Sequence, residues 1–191
     1  MRQSPFTVIY DACVLYPAPL RDFLMWLALS GNFRARWTAA IHVEWTRNLL
    51  TNRPDLTREQ LQRTIDLMDA AVPDALVTEY EPLIDGLTLP DASDRHILAA
   101  AVRSSASVIV TFNEKDFPAF QLAPFGIETQ HPDAFIEYLF DLDPNAVVNA
   151  AQKQRSNLAN PAFDVDQFLD ILRKQGLVQT VRALMAYHTI L

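Results

Sequence analysis

Five acidic residues stand where a carboxylate could take part in chemistry. They follow predicted strands or border predicted helices: Asp11, Glu44, Asp91, Asp94 and Asp116. Carboxylate oxygens are the ligands that Mg²⁺ and Mn²⁺ prefer, and such ligands can come from distant parts of a chain. A metal ion held in this way lowers the pKa of a water molecule and offsets the charge that builds up on a phosphate. Acids in these positions could therefore support metal-assisted hydrolysis of a phosphodiester.

Each of these acids also has an ordinary structural explanation. Asp11 ends a buried strand and could cap the turn that leads into Cys13. Glu44 could be one of the many glutamates that border the apolar face of a helix. Asp91 and Asp94 stand three residues apart at a helix start, where both could serve as capping residues. The residues alone leave these alternatives open.

A second polar group follows the strand with the clearest signal, Val108–Thr111. Thr111, Asn113 and Asp116 place a hydroxyl, an amide and a carboxylate close together just past the strand. An ordinary polar loop would also explain this composition. A functional site is expected at the same place, because ligands of parallel sheets bind beyond the carboxyl ends of the strands.

Strands and helices alternate over the first two thirds of the chain. Short β-branched or apolar runs predict strands at 7–10, 75–78, 108–111 and 126–129. Apolar residues at helical spacing predict helices at 20–28, 38–49, 57–71 and 91–102. This alternation predicts a parallel sheet covered on both faces, with Asp11 and Thr111 at the same edge.

The strand signal stops near Pro132. Helices are predicted beyond it at 134–139, 145–158, 165–172 and 176–187. We therefore predict two parts, a catalytic α/β domain of residues 1–131 and a helical extension of residues 132–191. A chain of 191 residues fits one domain with such an appendage.

The charge of the chain is unevenly distributed. The net charge is −7, which taken alone argues against nucleic-acid binding. However, a site for divalent cations must itself be acidic, and the bound metal reverses the local sign. The segment from Arg21 to Arg63 contains seven arginines and four acids, so it is locally basic. Its arginines could face phosphates or could form a solvated helical surface.

Cysteine and histidine usage argues against a structural zinc site. Cys13 is the single cysteine, and the four histidines are scattered along the chain. A lone cysteine forms no internal disulfide, which agrees with a reducing compartment. No stretch approaches the roughly 18–20 apolar residues that span a bilayer. We therefore expect a cytosolic protein that does not associate with membranes.

The acidic positions resemble the signature elements of the PIN domain family. The matching elements, in the expected order, are the strand ending at Asp11, the helix carrying Glu44, the helix start Asp94–Ala100 and the segment from Thr111 through Asn113 and Asp116 to Phe117. The resemblance covers about residues 6–130. The segment 11–22 is similar to the branch that contains VapC-type toxins of bacterial toxin–antitoxin pairs. Cys13 stands where members of this branch often have Asn, which puts a local hydrogen bond in question.

The resemblance implies a three-layer α/β/α domain and a Mg²⁺- or Mn²⁺-dependent endoribonuclease, the toxin of a type II pair. Asp11, Glu44, Asp94 and Asp116 would be its acidic, metal-binding residues. Thr111 and Asn113 would position Asp116 or a water molecule, and Asp91 adds a further carboxylate, so that either Asp91 or Asp94 could face the metal. The arginines expected to grip the RNA backbone are Arg21, Arg34, Arg36 and Arg47. The family further implies a homodimer and a cognate antitoxin.

Two other functions compete with this interpretation. A phosphatase with an Asp nucleophile needs a second Asp two residues after the first, and this position is Cys13. A non-catalytic PIN-like protein that binds RNA or an antitoxin would share the fold, and the sequence does not exclude it. Metal binding separates the two remaining hypotheses, because a binding protein need not hold Mg²⁺ or Mn²⁺.

Overall fold

Four short parallel strands form the central sheet. The computed structural model describes residues 6–158 and 162–191, and its strands are β1 (Phe6–Tyr10), β2 (Phe33–Arg36), β3 (Val108–Val110) and β4 (Glu128–Gln130). Their order in the sheet is β2-β1-β3-β4. Val8 pairs with Ala35 on one side and with Val108 on the other, so β1 and β3 are the inner strands.

The inner strands are apolar throughout because helices cover the sheet. Residues Val8 to Tyr10 of β1 and all three residues of β3 are buried. Such continuous burial is typical of parallel strands and explains why their sequences carry a clear signal. The predicted three-layer α/β/α class with a central parallel sheet and C-terminal helices is confirmed.

Strand β2 was not predicted, and the strand predicted at 75–78 is wrong. In β2 the side chains alternate, with Phe33 and Ala35 buried and Arg34 exposed, so its arginines concealed a strand within an apparently polar stretch. At 75–78 the backbone makes only an isolated bridge between Leu76 and Trp37. Arg34 and Arg36 therefore belong to a strand and not to the basic helices that we expected.

Ten α-helices complete the described parts of the chain. They are α1 (Ala12–Leu15), α2 (Ala18–Ala28), α3 (Ala39–Asn52), α4 (Arg58–Ala71), α5 (Arg95–Arg103), α6 (Ala119–Leu122), α7 (Pro132–Leu142), α8 (Pro144–Asn157), α9 (Val165–Lys174) and α10 (Val178–Leu184). Capping residues fix several of their starts. The Thr38 side chain accepts from the Ile41 N–H at the start of α3, and Thr57 and Gln60 form a capping box at the start of α4.

The chain divides into two compact units. The first unit contains Met1–Tyr16 and Phe33–His131, and the second contains Pro17–Asn32 and Pro132–Leu191. Helix α2, which we predicted within the catalytic domain of residues 1–131, thus groups with the C-terminal helices and packs against α8 and α9. Residues 1–5 and 159–161, which the predicted domain bounds include, lie outside the described residues.

Buried polar side chains join α3 and α4 in the first unit. Asp69 Oδ1 accepts hydrogen bonds from the Trp37 indole over 2.7 Å and from His42 Nε2 over 3.2 Å. The Trp45 indole donates to His42 Nδ1 over 3.0 Å. Since His42 Nδ1 must accept, the imidazole is neutral and carries its proton on Nε2. The three donors are thus satisfied by one imidazole and one carboxylate.

We expect Asp69→Ala to destabilise the protein by about 2 kcal/mol, because the Trp37 indole and the His42 imidazole, which are both buried, would then lose their acceptor. Urea unfolding followed by tryptophan fluorescence measures this change. Asp66→Ala is the matched control, since Asp66 is exposed on the same helix and accepts from the exposed Gln62 side chain. Equal stabilities of the two variants would contradict the prediction.

None of the helices within residues 6–158 and 162–191 combines the length and the apolar character that crossing a membrane requires.

Candidate active site

Asp11 directly follows β1 and is almost completely buried, with 4% of its surface exposed. Its Oδ2 accepts a 2.6 Å hydrogen bond from the Thr111 hydroxyl and a 3.1 Å hydrogen bond from the Cys13 thiol. The carboxylate does not cap α1, the helix that follows it, so the capping explanation gains no support. Burial raises the pKa of Asp11, and the hydrogen bonds from Thr111 and Cys13 partly offset this effect.

Thr111 orients Asp11. It follows β3, the neighbour of β1, and is fully buried. The Asn113 N–H donates to the Thr111 hydroxyl oxygen over 2.9 Å, which leaves the hydroxyl proton for Asp11. We predicted that Thr111 and Asn113 position Asp116 or a water molecule. The Thr111 hydroxyl binds Asp11 instead, because strand pairing brings these two residues together. Asn113 contacts Asp116 through the backbone, with the Asp116 N–H donating to its carbonyl over 2.9 Å.

The Cys13 thiol supplies the local hydrogen bonds that the sequence put in question. It donates to Asp11 and accepts from the Phe112 N–H over 3.3 Å. Burial and the neighbouring Asp11 charge raise the pKa of Cys13 to about 12. The sulfur therefore stays protonated at neutral pH and serves as a donor, not as a nucleophile.

Glu44 lies on α3 at the border of the apolar face, as predicted. Its charge raises the pKa of both Asp11 and Asp94, which places its carboxylate within electrostatic range of both. His96 Nε2, near the start of α5, lies 3.6 Å from Glu44 Oε2. His96 stands two residues after Asp94, a spacing that was a signal for the site.

Asp94 interacts with four other carboxylates. The pKa of Asp94 is raised to about 6. Burial is the largest cause, and the next causes are the charges of Asp11, Asp91, Asp116 and Glu44. The structure thus brings the four predicted acids into one electrostatic group, although their positions span more than a hundred residues. Close carboxylates repel one another when ionised, and a divalent cation would relieve that repulsion.

Asp91 is the capping residue of this segment. Its Oδ1 accepts from the Ser93 N–H over 2.8 Å and from the Ser93 hydroxyl over 2.7 Å, and these bonds lower its pKa. The Asp94 side chain makes no such capping bond to α5. Of the two carboxylates that the sequence left open, Asp91 is therefore engaged in capping and Asp94 is not.

We expect Asp94→Asn to stabilise the metal-free protein at neutral and higher pH. The folded-state pKa of Asp94, about 6, lies above its ordinary value of 3.8, so the folded protein binds this proton more tightly than the unfolded chain. Protonation of Asp94 contributes its full stabilisation of the folded protein below about pH 4, and this contribution is lost as the pH rises through about 6. The gain from Asp94→Asn therefore grows over this range. Because solvent screens the charges at this partly exposed site, the gain in stability from Asp94→Asn is limited to about 1 kcal/mol.

Thermal unfolding in EDTA, between about pH 4 and pH 8, measures this gain. Asp85→Asn is the control, because Asp85 is an exposed carboxylate outside the group that raises the pKa of Asp94. A stability difference between Asp94→Asn and wild type that does not vary with pH would refute the prediction.

The described residues contain no group of three or more His, Cys, Asp or Glu side chains arranged to hold a metal ion as they stand. The four acids interact over distance without forming a complete coordination shell. Their donor set consists of carboxylate oxygens alone, which fits Mg²⁺ or Mn²⁺ and not a thiophilic ion.

The predicted RNA-contacting arginines are spread over three elements. Arg47 is exposed on α3, and Arg34 is exposed on β2 beside the partly exposed Arg36. Arg21 lies on α2 in the second unit, where burial lowers its pKa to about 10. The structure thus places Arg34, Arg36 and Arg47 in the unit that contains the acidic group, and Arg21 in the other.

The fold and this acidic group define an α/β protein whose parallel sheet carries four interacting carboxylates near its carboxyl edge. A family model described as PIN domain matches residues 7–115, which is more than half of the chain. The chain belongs to the PIN domain family. A second family model, described as VapC50 C-terminal domain, matches residues 132–186.

A curated relative has the name "Putative ribonuclease VapC50" and comes from Mycobacterium tuberculosis (strain ATCC 25618 / H37Rv). It is 42% identical over 82 residues, which cover 43% of this chain and 48% of the relative. The match thus spans about half the length of the curated relative. No solved structure matches the chain significantly.

Proposed function

We propose that this chain is a metal-dependent endoribonuclease that hydrolyses RNA phosphodiester bonds. The observation that carries the proposal is the electrostatic group formed by Asp11, Glu44, Asp94 and Asp116, in which burial and then the charges of the other carboxylates raise the pKa of Asp94 to about 6. Membership of the PIN domain family and the word ribonuclease in the relative's name support the same activity.

Asp11, Asp94 and Asp116 would hold one or two Mg²⁺ or Mn²⁺ ions. Glu44 would hold a second ion or orient the attacking water. A bound divalent ion supplies a water of lowered pKa and offsets the negative charge on the phosphate. Binding requires the side chains to turn towards a shared centre, since they form no ready-made group among the described residues.

The other polar residues of the site would act by holding the carboxylates in place. Hydrogen bonds from Thr111 and Cys13 fix the Asp11 carboxylate and favour its ionised form. Asn113 directs the Thr111 hydroxyl, and Asp91 maintains the turn from which Asp94 projects. Arg34, Arg36 and Arg47 would contact RNA phosphates, because arginine forms bidentate bonds with them. Arg21 is retained only as a weaker candidate for such a contact.

The biological role follows as part of the proposal. We propose that the chain is the toxin of a type II toxin–antitoxin pair, inhibited by a cognate antitoxin protein and assembled as a homodimer. The name of the relative and the match to the VapC50 C-terminal domain support this role. The activity would take place in the cytoplasm, where the RNA substrate is found.

Incubation of the purified protein with total cellular RNA tests the activity. Reactions would contain Mg²⁺, Mn²⁺ or EDTA, with Asp116→Asn as the inactive variant and Glu114→Gln, an exposed acid in the same turn, as its control. Discrete fragments that need a metal and disappear only with Asp116→Asn are expected. If folded protein free of antitoxin cleaves no RNA with either metal, the chain is a non-catalytic protein that binds RNA or an antitoxin.

A further inference from the structure

A pocket of about 480 Å³ opens between α3 and the start of α5, within the first unit. Its lining residues are Ala40, Val43, Glu44, Arg47, Ser93 and His96. Glu44 belongs to the acidic group described above, so the pocket adjoins the proposed active site. The other lining residues have no part in holding a metal.

The polar lining residues have unused hydrogen-bonding capacity. Arg47 is exposed and has no ion-pair partner in the described part of the chain. The Ser93 hydroxyl donates its proton to Asp91, so that it can only accept from a further partner. His96 Nδ1 is buried and finds no hydrogen-bond partner among the described residues.

The lining residues favour a ligand that combines an anionic group, a hydrogen-bond donor and a flat apolar part. The Arg47 guanidinium attracts an anion, whereas the Glu44 carboxylate repels a free anion in the same pocket. The Ser93 oxygen can accept from a donor on the ligand. Val43, which is 61% exposed, and the His96 imidazole offer apolar and flat surfaces. A nucleotide within a chain meets all these demands, since it carries a phosphate, hydroxyl or amino donors, and a planar base.

We propose that this pocket binds one nucleotide of the RNA substrate, adjacent to the phosphodiester that is cleaved. Arg47 contacts the phosphate of that nucleotide, and His96 and Val43 contact its base. This inference rests on the proposed ribonuclease function. It separates Arg47 from Arg34 and Arg36, which do not line this pocket.

Salt-dependent RNA binding tests the role of Arg47. Fluorescence anisotropy would follow a labelled single-stranded RNA in Mg²⁺ buffer, with Asp116→Asn as the background that stops cleavage. Arg47→Gln should weaken binding about tenfold and make the slope of log affinity against log salt shallower by about 0.7, the value for one phosphate contact on a single strand. A purely structural role would leave that slope unchanged.

Arg103→Gln is the matched control, because Arg103 carries the same charge at the far end of α5 and pairs with Glu79. It should change affinity less than twofold and leave the salt slope intact. Equal effects of Arg47→Gln and Arg103→Gln would show general electrostatic attraction and overturn the pocket assignment. Absence of cleavage by the wild type with any metal would overturn the ribonuclease proposal instead. The comparison of RNA binding by Arg47→Gln and Arg103→Gln would still test whether the pocket binds a nucleotide.

Two substitutions of His96 distinguish a contact between His96 and the RNA base from a role of His96 in positioning the Glu44 carboxylate. His96→Phe keeps a planar ring and should retain RNA affinity, whereas His96→Gln should lose about tenfold, as expected when one stacked base is released. The rise in melting temperature caused by Mn²⁺ should be the same in both variants and in wild type. If both variants weaken RNA binding equally, or if either reduces the Mn²⁺ effect, the assignment of His96 to the base is wrong.

Discussion

Asp11→Asn is expected to lose at least about 10³-fold of the metal-dependent RNA cleavage while keeping its fold. A loss of this size corresponds to about 4 kcal/mol of transition-state stabilisation, which is within the range that a metal ion contributes. The amide has nearly the shape of the carboxylate, and its oxygen can still accept from the Thr111 hydroxyl. The variant therefore removes the charge that would attract a cation and little else.

The stability of Asp11→Asn distinguishes a catalytic from a structural role. Burial raises the pKa of Asp11, so its ionised form is costly in the folded protein, and the charge of Glu44 adds to that cost. We expect the melting temperature in EDTA at neutral pH to equal or exceed that of wild type. Mn²⁺ should raise the melting temperature of wild type and have a much smaller effect on the variant.

Thr111→Val provides the graded comparison. It removes the hydroxyl that orients Asp11 but retains the carboxylate, and we expect a loss of roughly tenfold in cleavage, about the value of one hydrogen bond to a charged group. Full cleavage activity of Asp11→Asn would sink the assignment of Asp11 to the metal. A destabilised Asp11→Asn would show instead that the carboxylate holds the fold.

Asp133→Ala is expected to cause the largest loss of stability among the predicted variants. Asp133 lies at the start of α7, is buried, and accepts from the Gln179 N–H, the Thr180 N–H and the Thr180 hydroxyl over 2.8, 2.9 and 2.8 Å. These amides are at the start of α10, whose own N-cap residue, Leu177, has no side-chain acceptor. Asp133 thus caps α10 from a different helix.

Removing this acceptor leaves several buried donors without partners. We expect a cost of about 3 kcal/mol, or a fall in melting temperature of roughly 10 °C for a chain of this size. Thermal unfolding followed by circular dichroism measures it. Asp141→Ala, an exposed carboxylate near the end of α7, is the control and should change stability by less than about 0.5 kcal/mol. Similar melting temperatures for the two variants would contradict the prediction, because water molecules would then accept from the α10 donors in place of the Asp133 carboxylate.

The polar residues at the strand ends show what sequence patterns can predict about this site. Asp11 and Thr111 each follow an apolar run, and the rule that ligands collect at the carboxyl edge predicted that they would lie together. Their side chains are in fact hydrogen-bonded. By contrast, the bond between the Cys13 thiol and Asp11 could not be predicted, because a lone cysteine has no pattern that reports its partners. Likewise, the sequence left both Asp91 and Asp94 as possible capping residues, and only the coordinates show that Asp91 is the one that caps.

Three features were missed because a local sequence pattern does not report them. Strand β2 was overlooked because a four-residue edge segment with alternating arginines gives little hydrophobic signal. The grouping of α2 with α8 and α9 was missed because an apolar helix face indicates that it is covered but not which element covers it. Likewise, Asp133 is an acid at a helix start, which predicts a cap for its own helix and not for α10.

The discontinuity of the second unit has a consequence for synthesis. Between Asn32 and Pro144 the ribosome adds more than a hundred residues, which takes on the order of 6 to 20 seconds at ordinary translation rates. Throughout that interval α2 lacks α8 and α9, the helices against which it packs. Its apolar residues Leu20, Phe23, Leu24 and Leu27 must wait for those later helices. The second unit therefore completes its folding only after α8 and α9 have been made, and a ribosome that stalls before that point releases α2 without the helices that cover it.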